Sequence, residues 1–314
     1  MPQYKIEKED KKRNWTTHEE EYAKRMEMIV ENLRPLVVEA TSTIQIKRGR
    51  GRKPKLSLDQ KVLILLLKEI SGFSKRKMAY MLSLFSLLSG IKVSPKMVER
   101  LYSDPLVEMA LQNLFVFLLK KKGVEKVEYA GDGTGYALSI EKHYRRVATS
   151  RKKEAKEKGV TEKKQAFTYW FSIIDIKSRM YIAHGTSQKS EKEAFEKAMK
   201  FLRFINVEMI SIRLDKYFSN PSYVNMFENV KVYVIPKKNA TVRGGDKWRD
   251  TMKEFVNAPL IYLSEYFMRN HSEAAFSADK RMLGWQISQK REDRICTSMA
   301  CRALWHNLFN LYSL

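Results

Sequence analysis

The spacing of apolar residues changes near residue 125, and this change divides the chain into two regions. In the first region, apolar residues recur every three or four positions between charged ones, which is typical of amphipathic helices. The pattern predicts helices over residues 19–33, 59–70, 71–85, 93–104 and 112–123. We therefore expect the first region to be entirely helical.

The second region mixes two patterns. Short runs rich in branched and aromatic residues, bounded by turn-forming residues, are typical of strands. They predict strands over residues 126–133, 165–175, 180–185, 207–215 and 231–235. Helical spacing predicts helices over 190–204 and 220–230, and mostly helix from residue 258 onward. Three strands followed by alternating helices and strands predict an α/β fold with an antiparallel start.

Residues 57–122 carry three short predicted helices with basic residues along them. Ser94 precedes Pro95, which pairs a capping residue with proline at the first helical position. The set suits a helix-turn-helix module whose recognition helix lies in the major groove of DNA. A plain helical bundle, which has the same pattern, is the alternative. The basic residues are Lys75, Arg76, Lys77, Lys96 and Arg100.

The charge balance points to a polyanionic partner. Of 314 residues, 44% are hydrophobic, and 59 Lys and Arg stand against 36 Asp and Glu, for a formal net charge of +23. Nucleic acid is the expected partner of so basic a globular protein, and a membrane surface is the alternative. No membrane association is expected, because the apolar run 62–70 contains Lys68 and is too short to span a bilayer. The N-terminal residues also lack the apolar core of a signal peptide.

The two cysteines, Cys296 and Cys301, suit neither a disulfide framework nor a four-ligand zinc site. This usage is typical of proteins in a reducing compartment. We therefore expect a cytoplasmic protein whose cysteines are buried small side chains.

The segment KRGRGRKPK, residues 47–55, predicts an extended basic arm. Its glycine-arginine core resembles an AT-hook, whose arginines lie in narrow minor grooves of DNA. Arg48, Arg50 and Arg52 are therefore candidate DNA contacts. A solvated charged linker is the alternative.

Two later segments are also basic. Residues 236–257 are expected to form a DNA-contacting loop, in which Lys237 and Lys238 are the candidate contacts. Residues 145–164 predict either a disordered surface loop or a phosphate-binding one, and the pattern leaves both open.

Two aspartates lie where predicted strands end. Asp132, in the sequence GDGTG, lies at the end of the first predicted strand, and Asp215 lies at the end of the fourth. Ligands of open α/β sheets bind where strand ends converge, and glycines allow a close approach of a polyanion. Each aspartate also has a plain interpretation, because Asp-Gly is common in hairpin turns and an aspartate after a strand often begins a helix.

The segment YFMRNHSEAAFSADK, residues 266–280, predicts one amphipathic helix. At about 100° per residue, four side chains of different chemistry fall within a stripe about 60° wide. We interpret this stripe as a site face, and a solvated surface is the alternative. The stripe consists of Tyr266, Arg269, Glu273 and Lys280. The opposite face, expected to pack on the sheet, carries Phe267, Met268, Ala274, Ala275, Ala278, Met282 and Trp285.

The intervals of this stripe resemble the Y-R-E-K signature of one group of DD(E/D) transposases from prokaryotic insertion sequences. Asp132 and Asp215 resemble the two aspartates of the same family. The resemblance covers roughly residues 125–314. It implies an RNase H-like catalytic domain, a mixed sheet flanked by helices, over residues 123–314. A charged helical arm and basic linker (1–56) and a helical, helix-turn-helix-type DNA-binding region (57–122) would precede it.

The resemblance also implies the chemistry. Asp132, Asp215 and Glu273 would be the catalytic acids and would hold two Mg²⁺ or Mn²⁺ ions, which suit the in-line phosphoryl transfers of DNA cleavage and strand transfer. The tyrosine, arginine and lysine of the signature would contact DNA phosphates. Only residues 216–272 separate the second aspartate from the glutamate. Hairpin-forming chemistry that depends on the large β-rich insertion of some relatives is therefore not expected.

The implied partners are the terminal repeats of the element and its target, both double-stranded DNA. A dimer on DNA and an association with the nucleoid follow by analogy. Two alternatives stay open: a domesticated or inactive transposase that acts as a DNA-binding protein, and an RNase H-like nuclease without strand transfer.

Overall fold

The computed structural model describes residues 15–46, 54–89, 92–138, 167–205 and 207–313. The three candidate arginines of the AT-hook-like arm and the basic loop 145–164 lie outside the described residues.

The first region is helical, as predicted. Its helices end where the sequence carries caps: Ser94 and Asp104 cap α4 and α5, each followed by proline, and α2 and α5 stop at Gly72 and Gly123, whose φ angles are 62° and 73°. The first helix is longer than the predicted 19–33. The helices are α1 (Trp15–Ser42), α2 (Leu58–Ser71), α3 (Lys75–Ser89), α4 (Pro95–Leu101) and α5 (Pro105–Lys122).

The second region forms a mixed sheet with helices on it, which confirms the predicted α/β class. The order of its main strands is β3-β2-β1-β4-β5; β2 is antiparallel to β1 and β3, whereas β4 is parallel to β1 and β5 to β4. A short β6, which the sequence analysis did not predict, pairs with the end of β1. The strands are β1 (Lys126–Leu138), β2 (Phe167–Asp175), β3 (Tyr181–Ser187), β4 (Glu208–Leu214), β5 (Lys231–Tyr233) and β6 (Gln286–Ile287).

The first strand is longer than predicted. The glycines of GDGTG, interpreted as turn residues, lie inside β1, because β2 pairs with β1 from Tyr129 to Ala137. These glycines make room for side chains that cross the strand: a Cβ atom on Gly131 would lie 2.9 Å from Cδ2 of Leu214. The prediction that β1 ends beside Asp132 was therefore wrong.

Helices and one 3₁₀ turn (Lys216–Phe218) complete the fold. The predicted helix 220–230 is reduced to the single turn α7, and half of the predicted loop 236–257 is helix α8. α8 forms because Trp248 and Met252 bury one side of it, and the Trp248 indole donates to the Thr241 carbonyl at 2.7 Å. The helices are α6 (Glu191–Ile205), α7 (Pro221–Val224), α8 (Asp246–Asn257), α9 (Pro259–Phe267), α10 (Asn270–Leu283) and α11 (Glu292–Leu311).

The two regions share one buried apolar cluster. α6 packs on β2 and β3, and α11 packs on β3 on one side and on α2 and α5 on the other. The Trp305 indole donates to the Leu66 carbonyl at 3.0 Å, and buried Glu69 accepts from Ser298 at 2.7 Å. The predicted domain boundaries stay predictions. Within the described residues, no helix is both long enough and apolar enough to cross a membrane.

Candidate active site

The structure brings the three predicted acids together around one guanidinium. Arg269 lies 2.7 Å from Oδ2 of Asp132 and 2.5 Å from Oε1 of Glu273, and its Nη2 lies 4.0 Å from Oδ1 of Asp215. The acids come from three elements: the middle of β1, the end of β4 and the first turn of α10. Residues far apart in the sequence therefore form one charged cluster.

The register of the parallel strands explains how the two aspartates meet. Gly131 on β1 is paired with Leu214 on β4, and this is the last pair between the two strands. The next residue on each strand is an aspartate, and adjacent strands lie only about 4.8 Å apart. β1 then continues beside β2, while Asp215 leaves the sheet and caps the 3₁₀ turn by accepting from the amide of Tyr217 at 3.3 Å. Asp132 thus lies where the parallel pairing ends, although its strand continues.

The predicted single helix over residues 266–280 was wrong. α9 ends at Phe267 and α10 begins at Asn270. Across the junction, backbone amides donate to carbonyls three residues earlier instead of four. The amide of Arg269, for example, donates to the carbonyl of Tyr266 at 3.0 Å, so this part of the chain is a 3₁₀-like turn. Arg269 occupies this turn, and Tyr266 and Glu273 belong to different helices.

The predicted apolar face was also wrong in part. Phe267, Met268 and Trp285 are at least 39% exposed, whereas Ala275 is buried. Because the helix is interrupted at residues 268 and 269, a single helical wheel does not describe both α9 and α10. The buried positions of α10 are Ser272, Ala275, Phe276, Asp279 and Leu283.

The remaining signature residues flank the cluster. Lys280 donates to Oγ1 of Thr134 at 2.6 Å and lies 5.1 Å from the ring centres of Tyr136 and Trp285. Alternate residues of a strand share a face, so Lys280 lies along β1 on the face of Asp132. Burial lowers the pKa of this lysine. Tyr266 is buried against two other tyrosines, and burial raises its pKa.

The predicted DNA-contact lysines lie near the cluster on the β5 side. Lys237 and Lys238 are exposed, and Lys237 donates to the carbonyl of Tyr217, two residues after Asp215, at 3.2 Å. Their role in binding DNA stays a prediction.

The electrostatics of the cluster follow from burial and charge. Burial raises the pKa of Asp132 to about 6; Arg269 and the Gly133 amide oppose the shift, and the charges of Asp215 and Glu273 add to it. Burial disfavours the charged form of Arg269, but the surrounding acids dominate and raise its pKa. The cluster is therefore a place where several carboxylates require a cation.

The structure adds an acid that the sequence analysis did not single out. The side chain of Glu191, the first residue of α6, crosses β1 at Gly133, where a Cβ atom would lie 2.2 Å from its Oε1. Burial and the charge of Asp215 raise the pKa of Glu191. It has no hydrogen-bond or ion-pair partner among the described residues. Its sequence signal was weak, because acids are common in the first turn of a helix.

The donors suit a hard divalent cation. Carboxylate oxygens are the ligands that Mg²⁺ and Mn²⁺ prefer. Within the described part of the chain, no three acidic, histidine or cysteine side chains stand in an arrangement ready to hold an ion. The positive charge among the carboxylates is supplied by Arg269, which would have to move aside for an ion to share all three.

Comparison with known proteins gives a match at 44% identity over 293 residues, which covers 92% of this chain and 87% of the matched protein. The chain belongs to the family of that protein, the insertion-sequence transposases. The matched protein is the probable transposase for insertion sequence element ISA1214 of Archaeoglobus fulgidus. No protein-family model matches the chain, and no solved structure matches it. The prediction of an insertion-sequence transposase is confirmed, and the Y-R-E-K group stays a prediction.

Proposed function

We propose that the protein is a DNA transposase that binds the ends of its element and catalyses metal-dependent strand cleavage and strand transfer. The observation that carries this proposal is that Asp132, Asp215 and Glu273 converge on the guanidinium of Arg269, where the pairing of β1 with β4 ends. The strand order, with three antiparallel strands followed by two parallel ones, supports an RNase H-like catalytic domain.

Each acid has a proposed role. Asp132, Asp215 and Glu273 would hold the two Mg²⁺ or Mn²⁺ ions through their carboxylate oxygens. When bound, the two ions activate the attacking oxygen and stabilise the leaving oxygen of a phosphoryl transfer. Glu191 adds negative charge on the Asp215 side of the cluster.

Two cationic side chains prepare the cluster for a phosphate. Arg269 holds the carboxylates together and, once they have another cation, is free to bind a phosphate oxygen. Lys280, held by Thr134 on the same face of β1, is placed to contact a phosphate next to the reacting one.

DNA recognition is assigned to the N-terminal region. The exposed cations Arg76, Lys77, Lys96 and Arg100 lie on α3 and α4, which we propose form a helix-turn-helix module with α2. Bringing two element ends together requires two catalytic sites, so we propose a dimer on DNA. It would act on the cell's DNA, in the cytoplasm and at the nucleoid.

The test is Mn²⁺-dependent nicking and strand transfer of DNA that carries the ends of the element. Glu273→Gln removes one carboxylate and keeps the shape of the side chain. The matched control is Glu196→Gln on α6, also an exposed helical glutamate with a cation at i,i+4 spacing.

We expect Glu273→Gln to bind DNA but to lose at least about 100-fold in both reactions, because it removes a charge that stabilises the transition state through the metal. The control should retain full activity. If the unmodified protein binds these ends and does not cut them, the binding-only alternative replaces this proposal. Cutting without joining would favour the nuclease.

A further inference from the structure

A second charged feature lies on another face of α10 from the acid cluster. It is a groove of about 1290 Å³ between α1, the turn that joins β2 to β3, and α10. We call it the basic groove and define it by the cations that line it: Arg25, Lys122, Lys126, Lys177, Arg179 and Arg281. His271 and Ala278 of α10 face it, whereas Glu273 and Lys280 lie on the site side of the same helix.

Three cations of the basic groove are not neutralised by acids. Lys177, Arg179 and Arg281 are exposed, and none of them forms an ion pair within the part of the chain that the structure describes. The two acids that line the groove have other partners. Asp175 accepts from the amide of Ser178 at 2.7 Å, and Asp279 accepts from the Tyr181 hydroxyl at 2.7 Å. Six Lys and Arg side chains line the groove against these two acids, so the groove presents a net positive charge.

Arg179 is held in an uncommon backbone conformation. Its φ is 61°, and it is the only non-glycine residue with positive φ among those described. His306 fixes this geometry by donating to the Arg179 carbonyl at 2.8 Å, and His306 is itself paired with Asp279 at 2.8 Å. The guanidinium contacts the ring of His271.

A tight turn of this kind is formed more easily by glycine or asparagine. In this turn the backbone of Arg179 is held by the buried His306, and its guanidinium lies against His271 at the groove. Backbone outliers of this kind cluster at sites that bind ligands.

We propose that the basic groove binds the phosphate backbone of duplex DNA outside the cleavage site, with Arg179 as its main contact. Cations from separate elements along an open groove suit a chain of phosphates better than one small anion. α10 is about 10 Å across, so DNA in the groove lies one helix away from the reacting phosphate. The choice of DNA as the ligand rests on the proposed function.

The experiment uses Arg179→Gly in the full chain, because glycine accepts the φ of 61° and the turn is kept. Arg281→Ala is added in a double variant. The control is Arg203→Ala, an exposed arginine on α6 outside the groove. Affinity for duplex DNA is measured by fluorescence anisotropy from about 50 to about 200 mM salt, and thermal melting verifies folding.

We expect the slope of log K against log salt to become shallower by about 0.9 for each DNA phosphate that a variant no longer neutralises, hence by about 0.9 in Arg179→Gly and about twice that in the double variant. The control should keep the slope of the unmodified protein. An unchanged slope in Arg179→Gly would overturn the inference, and so would an equal change in the control, which would mean that only net charge matters.

The same series separates this inference from the proposed function. Arg179→Gly and the double variant both keep the acids of the candidate site, which are Asp132, Asp215, Glu273 and Glu191. They should therefore cut DNA at saturating DNA concentration if the unmodified protein does. If no version cuts DNA while the slope falls only in the groove variants, the proposed reaction fails and the groove remains a DNA-binding surface.

Discussion

Replacing Asp132 by asparagine is predicted to change how the stability of the protein depends on pH. Burial, partly offset by Arg269, raises the pKa of Asp132 to about 6 in the folded chain, against about 3.9 when unfolded. An acid with a higher pKa in the folded state binds its proton more tightly there, so its ionisation destabilises the fold. This loss grows as pH rises from about 4 to about 6 and is complete above that range.

The magnitude follows from the shift. Two pKa units correspond to about 3 kcal/mol at pH 7.5, and to about 1 kcal/mol at pH 4.5, where folded Asp132 is still largely protonated. Asparagine does not titrate. The free energy of unfolding of the variant relative to the unmodified protein should therefore rise by about 2 kcal/mol between these pH values. The substitution also changes the hydrogen bond to Arg269, but this effect is similar at both pH values and largely cancels when the two relative free energies of unfolding are subtracted.

The assay is urea unfolding of both proteins at both pH values with a chelator present. The control is Asp250→Asn, at an exposed position of α8. Its free energy of unfolding relative to the unmodified protein should be the same at the two pH values. A relative stability of Asp132→Asn that does not change with pH would refute the reasoning, because Asp132 would then be ionised throughout. Saturating Mn²⁺, at about 100 times its Kd, should stabilise the unmodified protein by about 2.7 kcal/mol, and the variant by less.

Two further substitutions test the surroundings of the cluster. Gly133→Ala places a methyl group 2.2 Å from the present position of Glu191 Oε1, so the Glu191 carboxylate must turn aside. Because only the end of a flexible side chain moves, we expect little change in urea unfolding but a smaller rise in melting temperature with Mn²⁺. Gly135→Ala, where the nearest atom would be 3.3 Å away, is the control, and equal effects would argue against Glu191 as the cause. Trp305→Phe removes the indole hydrogen bond to the Leu66 carbonyl and shortens a fully buried side chain, so it should lower the free energy of unfolding by about 1–3 kcal/mol. No loss would mean that α2 does not depend on α11.

Local patterns were sufficient for most of the fold. Runs such as VEMISIRLD carry enough branched residues to predict β4. Ser94 before Pro95 predicts where α4 begins, and Gly123 predicts where α5 ends. The end of β1 was not predictable in this way. The glycines of GDGTG favour a turn locally, and only pairing with β2, which is distant in the sequence, extends the strand through them.

The candidate site was predictable in its acids and not in its geometry. No glycine or proline marks the break between α9 and α10, so the local pattern predicts one helix that runs through it. The position of Arg269 among the carboxylates follows from that break. Glu191 required the three-dimensional structure, because a glutamate in the first turn of α6 does not indicate that it crosses a glycine of β1.

The proposed function requires a divalent ion to bind among the carboxylates of Asp132, Asp215 and Glu273. It is tested most directly by replacing Mg²⁺ with Fe²⁺ and letting peroxide and ascorbate generate hydroxyl radicals, which cleave the backbone beside the bound ion. We expect fragments that end near residues 132, 215 and 273, which excess Mg²⁺ suppresses and which Asp132→Asn abolishes. Cleavage elsewhere, with an active protein and no fragments at these positions, would contradict it.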